Sequence, residues 1–552
     1  MTKANSLLLS LFLAFSAFAG AHAFAAGGDD FDNLDRIPDS VDVTTETGTI
    51  ALAQSPGGSW KSDLVRVITI PRSRGLGIVL SAPVAAVKSV EIHWQGAMPA
   101  GALYLGDAWE RAYGDLEWKP LDAHRIMPWY FLMHHHGGVT DGFGVKTDPS
   151  AMCYWAVETN GITLHADVRC GGMGVELGKR KLPVCTVVCR QGQINETPFA
   201  ADTAFCRQMC PRPKMPRQPV YGFNDWYCYY GHDTAAKFLP NVDFTAGLSQ
   251  GNANRPFAVM DDGWQWKGEN GDSPGLWDRV NPSFSETMTM PEIAGQVRSL
   301  GARPGLWFRP LMANADQPQS WRLQRDPAIL DPTVPQVRAF IRQTVRRFHG
   351  WGYELIKHDF TTYDLCGRWG MDMNGSVTAD GWAFADRSKT TAEVIRGLYE
   401  DIRSAAGNDT IILGCNTIGH ISAGIFEMQR VGDDTSGNNW ARTRKMGVNG
   451  LAFRAPQQGT FFAIDPDCVG QTSGDSIPWG KNSQWLDLVA HSGTTLFISI
   501  PRDIVDPVQE RELREAFSAA SQAQPLPEPL DWMQRRTPEK WLLDGQKKIF
   551  HW

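Results

Sequence analysis

Residues 352–360 read Gly352-Tyr353-Glu354-Leu355-Ile356-Lys357-His358-Asp359-Phe360. A glycine breaks the chain, a short run at 354–358 has strand character, and the run ends on an ammonium and a carboxylate. Alternate side chains of a strand share a face, so Lys357 and Asp359 point the same way. The unit recurs. Short apolar runs at 220–223, 257–260, 304–308, 354–358, 411–414, 425–429, 450–453 and 496–500 read as strands. Longer stretches of helical period lie between them, among them 290–300, 334–348 and 391–405. This alternation predicts parallel β/α units. Eight strands over roughly 280 residues fit an α/β protein with a closed (β/α)8 TIM barrel, assigned to 220–502. The competing arrangement is an open doubly wound sheet, but no Gly-x-Gly-x-x-Gly fingerprint follows the first strand.

Outward from the barrel the pattern changes. Between 27 and 215 short runs alternate apolar and polar residues, as at 64–70 and 89–94. That is the signature of an N-terminal β-sandwich domain. Pro211, Pro213, Pro216 and Pro219 punctuate the linker to the barrel. The sandwich is expected either to shape the mouth of a barrel pocket or to mediate contacts in a homo-oligomer. After the barrel, 503–552 predicts a helix at 508–522 and a short β tail within 541–552. At the other end Lys3, the apolar run 7–18 and Ala21-His22-Ala23 match a signal peptide over 1–23. The expected location is therefore periplasmic or secreted.

Composition narrows the function. The chain has 552 residues, 42% hydrophobic and 20% charged, with a net charge of −7 and no long basic run, so nucleic acid is not an expected partner. No later segment holds the run of about 18 apolar residues that a membrane span requires. The 21 Trp are unusual; flat indole faces suit the C–H surface of a sugar, although most of them are expected to fill core. Ten Cys include Cys185/Cys189 and Cys206/Cys210, both spaced C-x3-C. Structural thiols or one or two disulfides are expected there rather than zinc. His134-His135-His136 reads as a loop of packed or solvated rings.

In barrel enzymes the working residues lie at the C-terminal ends of the strands. Carboxylates collect there. Asn224, Asp225 and Trp226 follow the first strand; Asp261, Asp262, Gly263 and Trp264 the second; Lys357 and Asp359 end the fourth. Cys415 and Asn416 end the fifth, Arg430, Asp433 and Asp434 follow the sixth, and Asp465-Pro466-Asp467 the seventh. Many carboxylates and few histidines suit glycoside hydrolysis, in which one ionised carboxylate attacks and one protonated carboxyl donates. An ammonium beside Asp359 would keep it ionised.

At these residues the chain resembles the α-galactosidase-like retaining glycosidases of families 27 and 36. Asp261-Asp262-Gly263-Trp264 is similar to their Asp-Asp-Gly/Cys-Trp motif, and Lys357-His358-Asp359 to their Lys-x-Asp motif. Pro291-Glu292-Ile293-Ala294 through Trp307 is similar to the helix and third strand that follow the first motif, and Asp465-Pro466-Asp467 to their Asp-Pro-Asp turn. The resemblance covers about residues 220–470. It implies that Asp359 is the nucleophile and that Asp261 and Asp262 hold sugar hydroxyls. It places the proton donor on Asp433, with Asp434 favoured when counting from Arg430. Trp226, Trp264, Lys357, Cys415, Asn416, Arg430, Asp434 and Asp467 are the remaining substrate-binding candidates. The chain departs from the family at His358, where an aromatic is commoner, and at Asn416, in the region that reads the sugar's C2 substituent.

The implied activity is an exported retaining exo-glycosidase, with α-galactosidase favoured, acting on an oligosaccharide or glycan without a metal or organic cofactor. α-N-acetylgalactosaminidase, β-L-arabinopyranosidase, a transglycosylase and a non-catalytic carbohydrate-binding protein remain open alternatives.

Overall fold

The computed structural model describes residues 33–552 apart from Arg74 and Asp475. The signal peptide read at 1–23 lies outside the described residues.

Eight parallel strands form the barrel: Tyr221–Asn224, Phe257–Met260, Arg303–Phe308, Leu355–His358, Ile411–Gly414, Met428–Arg430, Ala463–Asp465 and Leu496–Ser499. They pair in sequence order, and the eighth pairs with the first. The Thr495 N–H donates to the Ile464 carbonyl at 2.9 Å and so joins the seventh strand to the eighth. Burial is continuous along most strands, because both faces of the sheet are covered. Helices Ala235–Leu248, Met290–Ser299, Pro335–Gly350, Thr391–Ala405, Asn449–Arg454, Trp479–Ala490 and Pro507–Ala520 form most of the outer layer. Three begin with reciprocal caps that the sequence encodes locally: Thr289 with Glu292, Thr390 with Glu393, and Asp506 with Gln509.

Two of the eight expected strands are placed differently. The run 450–453 is helical, within Asn449–Arg454, and the seventh strand is Ala463–Asp465. Every residue of that helix is buried, so it carries no amphipathic signal, and a short apolar run of this kind does not distinguish helix from strand. Gly450 is needed there: a Cβ would sit 2.9 Å from the Cα of Gly432. The sixth strand lies at Met428–Arg430, displaced from 425–429, because Ile425 and Phe426 complete the preceding turn.

After the fifth strand the helix shrinks to Gly419–Ser422. The sandwich packs here. His420 stacks on Trp129 at 4.9 Å and 11°, and its Nε2 meets the Val145 carbonyl at 3.0 Å. The sandwich consists of two antiparallel sheets built from strands between Ser40 and Arg190. One centres on Ala86–Gln95, flanked by Ser40–Thr45 and Gly161–Asp167; the other centres on Gly75–Ser81 and Lys181–Arg190. Ser40–Thr45 alternates buried and half-buried residues along its length, and Phe131 meets Trp155 across the sheets at 5.9 Å. At the C-terminus Lys540–Leu543 and Gln546–Ile549 form a hairpin.

The ten cysteines are free thiols, nine of them buried. His134 and His135 bond Thr140 and Asp141, each at 2.9 Å. Among the described residues no cluster of His, Cys, Asp or Glu has the arrangement of a metal site, and no helix is long and apolar enough to cross a membrane.

Candidate active site

A cavity of about 430 Å³ opens at the C-terminal ends of the strands. Nine of the twelve residues singled out in the sequence face it: Trp226, Asp261, Asp262, Lys357, Asp359, Arg430, Asp433, Asp434 and Asp467. Alternation along the fourth strand puts Lys357 and Asp359 on the cavity, while His358 packs outward between Tyr399 and Phe426.

Asp359 is held on both oxygens. Oδ1 accepts from the Phe360 amide at 2.7 Å and the Asn416 amide at 3.0 Å; Oδ2 accepts from Trp307 Nε1 at 3.0 Å. Burial pushes its pKa up, but the charges of Lys357 and Arg111, with these hydrogen bonds, bring it below the ordinary carboxylate value. Phe360 itself adopts a left-handed conformation, with φ of 63°. Arg309 braces that turn. Its guanidinium lies 4.4 Å from the centre of the Phe360 ring and grips Asp364 through two bonds, at 2.6 and 3.1 Å.

Lys357 Nζ lies 2.6 Å from Asp261 Oδ2, which also accepts from Asn224 Nδ2 at 2.8 Å. Asp262 accepts from Gln265 Nε2 at 2.7 Å and keeps a third of its side chain exposed. On the opposite wall Arg430 pairs with Asp465 at 3.1 Å, Asp467 at 2.8 Å and Asp434 at 3.2 Å. Tyr227 and Thr435 donate to the other oxygen of Asp467, whose pKa stays low despite burial because of Arg430 and Tyr227.

The adjacent carboxylates Asp433 and Asp434 differ. Both oxygens of Asp433 are taken, Oδ1 by Arg111 at 3.1 Å and Oδ2 by Arg442 at 2.7 Å. Asp434 engages Arg430 at 3.2 Å and Arg111 at 3.4 Å through Oδ1 alone, and 43% of its side chain is exposed to the cavity. Desolvation in the cavity wall, with the charges of Asp467 and Asp433, raises its pKa against the pull of Arg111 and Arg430.

Three sequence candidates do not line the cavity. Trp264 is 1% exposed and lies in the core against Trp277, Phe348 and Trp351. Its Nε1 donates to the Trp307 carbonyl at 3.0 Å, so it supports the ring that holds Asp359. Cys415 is buried, and burial pushes its thiol far up. The Asn416 side chain is fully buried and turned towards Glu110. Strand position identifies which end of the barrel a residue occupies, but not whether a side chain at that end faces the cavity or its supporting layer.

Sequence reading also missed several wall residues. Trp307, Phe360, Trp369 and Arg442 come from the barrel or its loops; Arg111 and Tyr113 come from the sandwich. Trp307 and Phe360 carry a signal after the fact, since they end the third strand or follow Asp359. Arg111 and Tyr113 carry none, because nothing local links residue 111 to Asp434, 323 positions along the chain.

The fold recurs among solved structures. No protein-family profile matches the chain. An α-galactosidase from Thermus thermophilus, in complex with p-nitrophenyl α-D-galactopyranoside, superposes with a TM-score of 0.60 at 17% identity, over 92% of this chain and 98% of that one. The GH36 α-galactosidase AgaA from Geobacillus stearothermophilus, in complex with raffinose, gives 0.58 at 13% identity, over 90% and 76%. The α-galactosidase from Lactobacillus brevis gives 0.55 at 13% identity, over 87% and 72%. The fold is similar to that of these α-galactosidases. In this α-galactosidase-like fold the cavity sits where a (β/α)8 barrel places its chemistry, at the C-terminal rim. The sandwich closes one side of it.

Proposed function

We propose that the protein is a retaining exo-glycosidase, favouring terminal α-galactosyl residues of oligosaccharides, with Asp359 as nucleophile and Asp434 as proton donor. One observation carries the reading: two carboxyl groups face one barrel-end cavity, and their surroundings push one pKa down and the other up. The sequence order of motifs first suggested Asp433 as the donor. The geometry favours its neighbour. Two guanidiniums occupy the two oxygens of Asp433, whereas Arg430 and Arg111 both bond Oδ1 of Asp434.

In this reading Asp359 attacks the anomeric carbon through Oδ2, the oxygen with only one donor on it. The glycosidic C–O bond breaks as Asp434 passes its proton to the leaving oxygen. Water then attacks the same carbon, giving its proton to Asp434, and the ester bond to Asp359 breaks. Asp261 and Asp262 present acceptors for sugar hydroxyls, and Trp226 an apolar face. The structural neighbours bound to p-nitrophenyl α-D-galactopyranoside, raffinose and stachyose support a galactoside. The signal-peptide pattern supports export, to the periplasm or medium; N-terminal sequencing of the exported chain should find cleavage after Ala23.

Comparing p-nitrophenyl α-galactoside, α-N-acetylgalactosaminide and β-L-arabinopyranoside as substrates tests the sugar. Azide tests the roles. Asp434→Asn with azide should release the α-galactosyl azide, and Asp359→Gly with azide the β-anomer. The α-product from Asp433→Asn instead would return the donor to Asp433.

A further inference from the structure

We infer that the sandwich supplies two positioning residues for this reaction: Arg111, which joins Asp433 to Asp434, and Glu110, which fixes the residue whose amide holds Asp359. The inference rests on the assignment of Asp359 and Asp434 above.

The backbone sets the register. Ala112 N–H donates to the Val431 carbonyl, and Asp433 N–H to the Ala112 carbonyl, both at 2.8 Å. The sandwich segment thus runs beside Gly432 as one added parallel step of the barrel rim. Gly432 admits no side chain, because a Cβ there would meet the Met446 carbonyl at 2.4 Å. Arg454 locks the segment from below. It is buried and bonds Asp107 at 2.8 Å, the Ala108 carbonyl at 3.1 Å and the Glu110 carbonyl.

This register delivers Arg111 to the cavity wall between the two carboxylates, with its side chain 5% exposed. Glu110 points the other way and is fully buried. It accepts from three elements: Tyr113 Oη of its own segment, Gly370 N–H at 3.0 Å from the loop after the fourth strand, and Asn416 Nδ2 from the fifth. Asn416 Oδ1 accepts from the Tyr363 amide at 3.0 Å, so its side-chain amide has one satisfying orientation. Its backbone N–H donates to Asp359 Oδ1. A buried carboxylate without donors is costly; here each oxygen is placed on groups that converge on the nucleophile.

Arg111 bonds Asp434 at 3.4 Å and lines the same cavity as Asp359, which its charge also reaches. Asp434 sees Arg111, Arg430, Asp433 and Asp467; Asp359 sees Lys357 and Arg111, with Arg309 and Asp364 behind. The Arg111 charge pulls both pKa values down. Its removal should therefore move both limbs of the kcat/KM profile to higher pH, by about one unit.

The test uses the full chain and p-nitrophenyl α-D-galactopyranoside. Arg111→Met should shift both limbs upward, and Arg111→Lys, which keeps the charge, should shift neither as far. Glu110→Gln turns one acceptor into a donor facing Asn416 Nδ2 and should lower kcat on the order of 10²-fold with little change in KM. Glu110→Gln with Asn416→Asp reverses the donor and acceptor and should recover much of the loss. Unshifted limbs in a folded Arg111→Met, or a double variant no better than Glu110→Gln, would overturn the inference alone. A wild-type chain that cleaves none of the three p-nitrophenyl glycosides would overturn the glycosidase reading, and this inference with it.

Discussion

The barrel rim and the sandwich segment around Arg111 meet at the same two carboxylates, but they are built by different rules. On the rim, position follows from local structure: a strand ends, alternation fixes its face, and Lys357 and Asp359 emerge together. In the segment no helix or strand fixes the side chains. Arg454, the Ala112 register and the Glu110 hydrogen bonds fix them instead, and all three reach across to the barrel. The rim places the reacting groups. The segment adjusts their charges and closes the wall, so a barrel of this kind can change its electrostatics by changing what docks on it.

Substitutions should separate these two contributions. Asp359→Asn should have the largest effect, lowering kcat on the order of 10⁴-fold while Tm and circular dichroism stay close to wild type. Asp434→Asn should follow, with a loss of about 10²- to 10⁴-fold on raffinose. The loss should be smaller on p-nitrophenyl galactoside, whose leaving group needs little protonation. It should also abolish the alkaline limb, since activity falls with rising pH as the raised Asp434 loses its proton. The acid limb, where the lowered Asp359 gains one, should remain. Asp433→Asn should keep both limbs.

On the segment side, Arg454→Met should act through stability. It leaves Asp107 buried without its cation, at a cost of about 3–5 kcal/mol. Thermal unfolding should report that loss, and kcat of the folded fraction should also fall as Arg111 loosens. The smallest effect on activity concerns the helix Pro198–Met209, between the last sandwich strand and the barrel. Burial raises Asp202 from 3.8 to about 8, so the folded chain keeps a proton that the unfolded chain releases above pH 4. Its contribution is fully present below the unfolded value and is lost as pH rises towards 8. Asp202→Asn should flatten the pH dependence of Tm between 5 and 8 without changing kcat.

The same contrast explains what the sequence disclosed. Strands with short apolar runs and charged ends, such as Leu355–His358 and Phe257–Met260, declared themselves, and with them Asp359, Lys357, Asp261 and Asp262. The seventh strand did not, because its three residues are outweighed by the more apolar helix Asn449–Arg454. Trp264, Cys415 and Asn416 sit at the right end of the barrel, but packing turns them into the layer behind the wall. Asp433 and Asp434 are adjacent and alike in sequence; their guanidinium partners tell them apart, Arg111 and Arg442 on the two oxygens of one, Arg430 and Arg111 on Oδ1 of the other.

Covalent trapping tests the central claim most directly. The protein is incubated with 5-fluoro-α-D-galactopyranosyl fluoride, digested, and mapped by mass spectrometry. A single fluorohexosyl adduct is expected on the peptide carrying Asp359, absent in Asp359→Asn. An adduct on another carboxylate, or turnover of galactosides by Asp359→Asn at the wild-type rate, would contradict it.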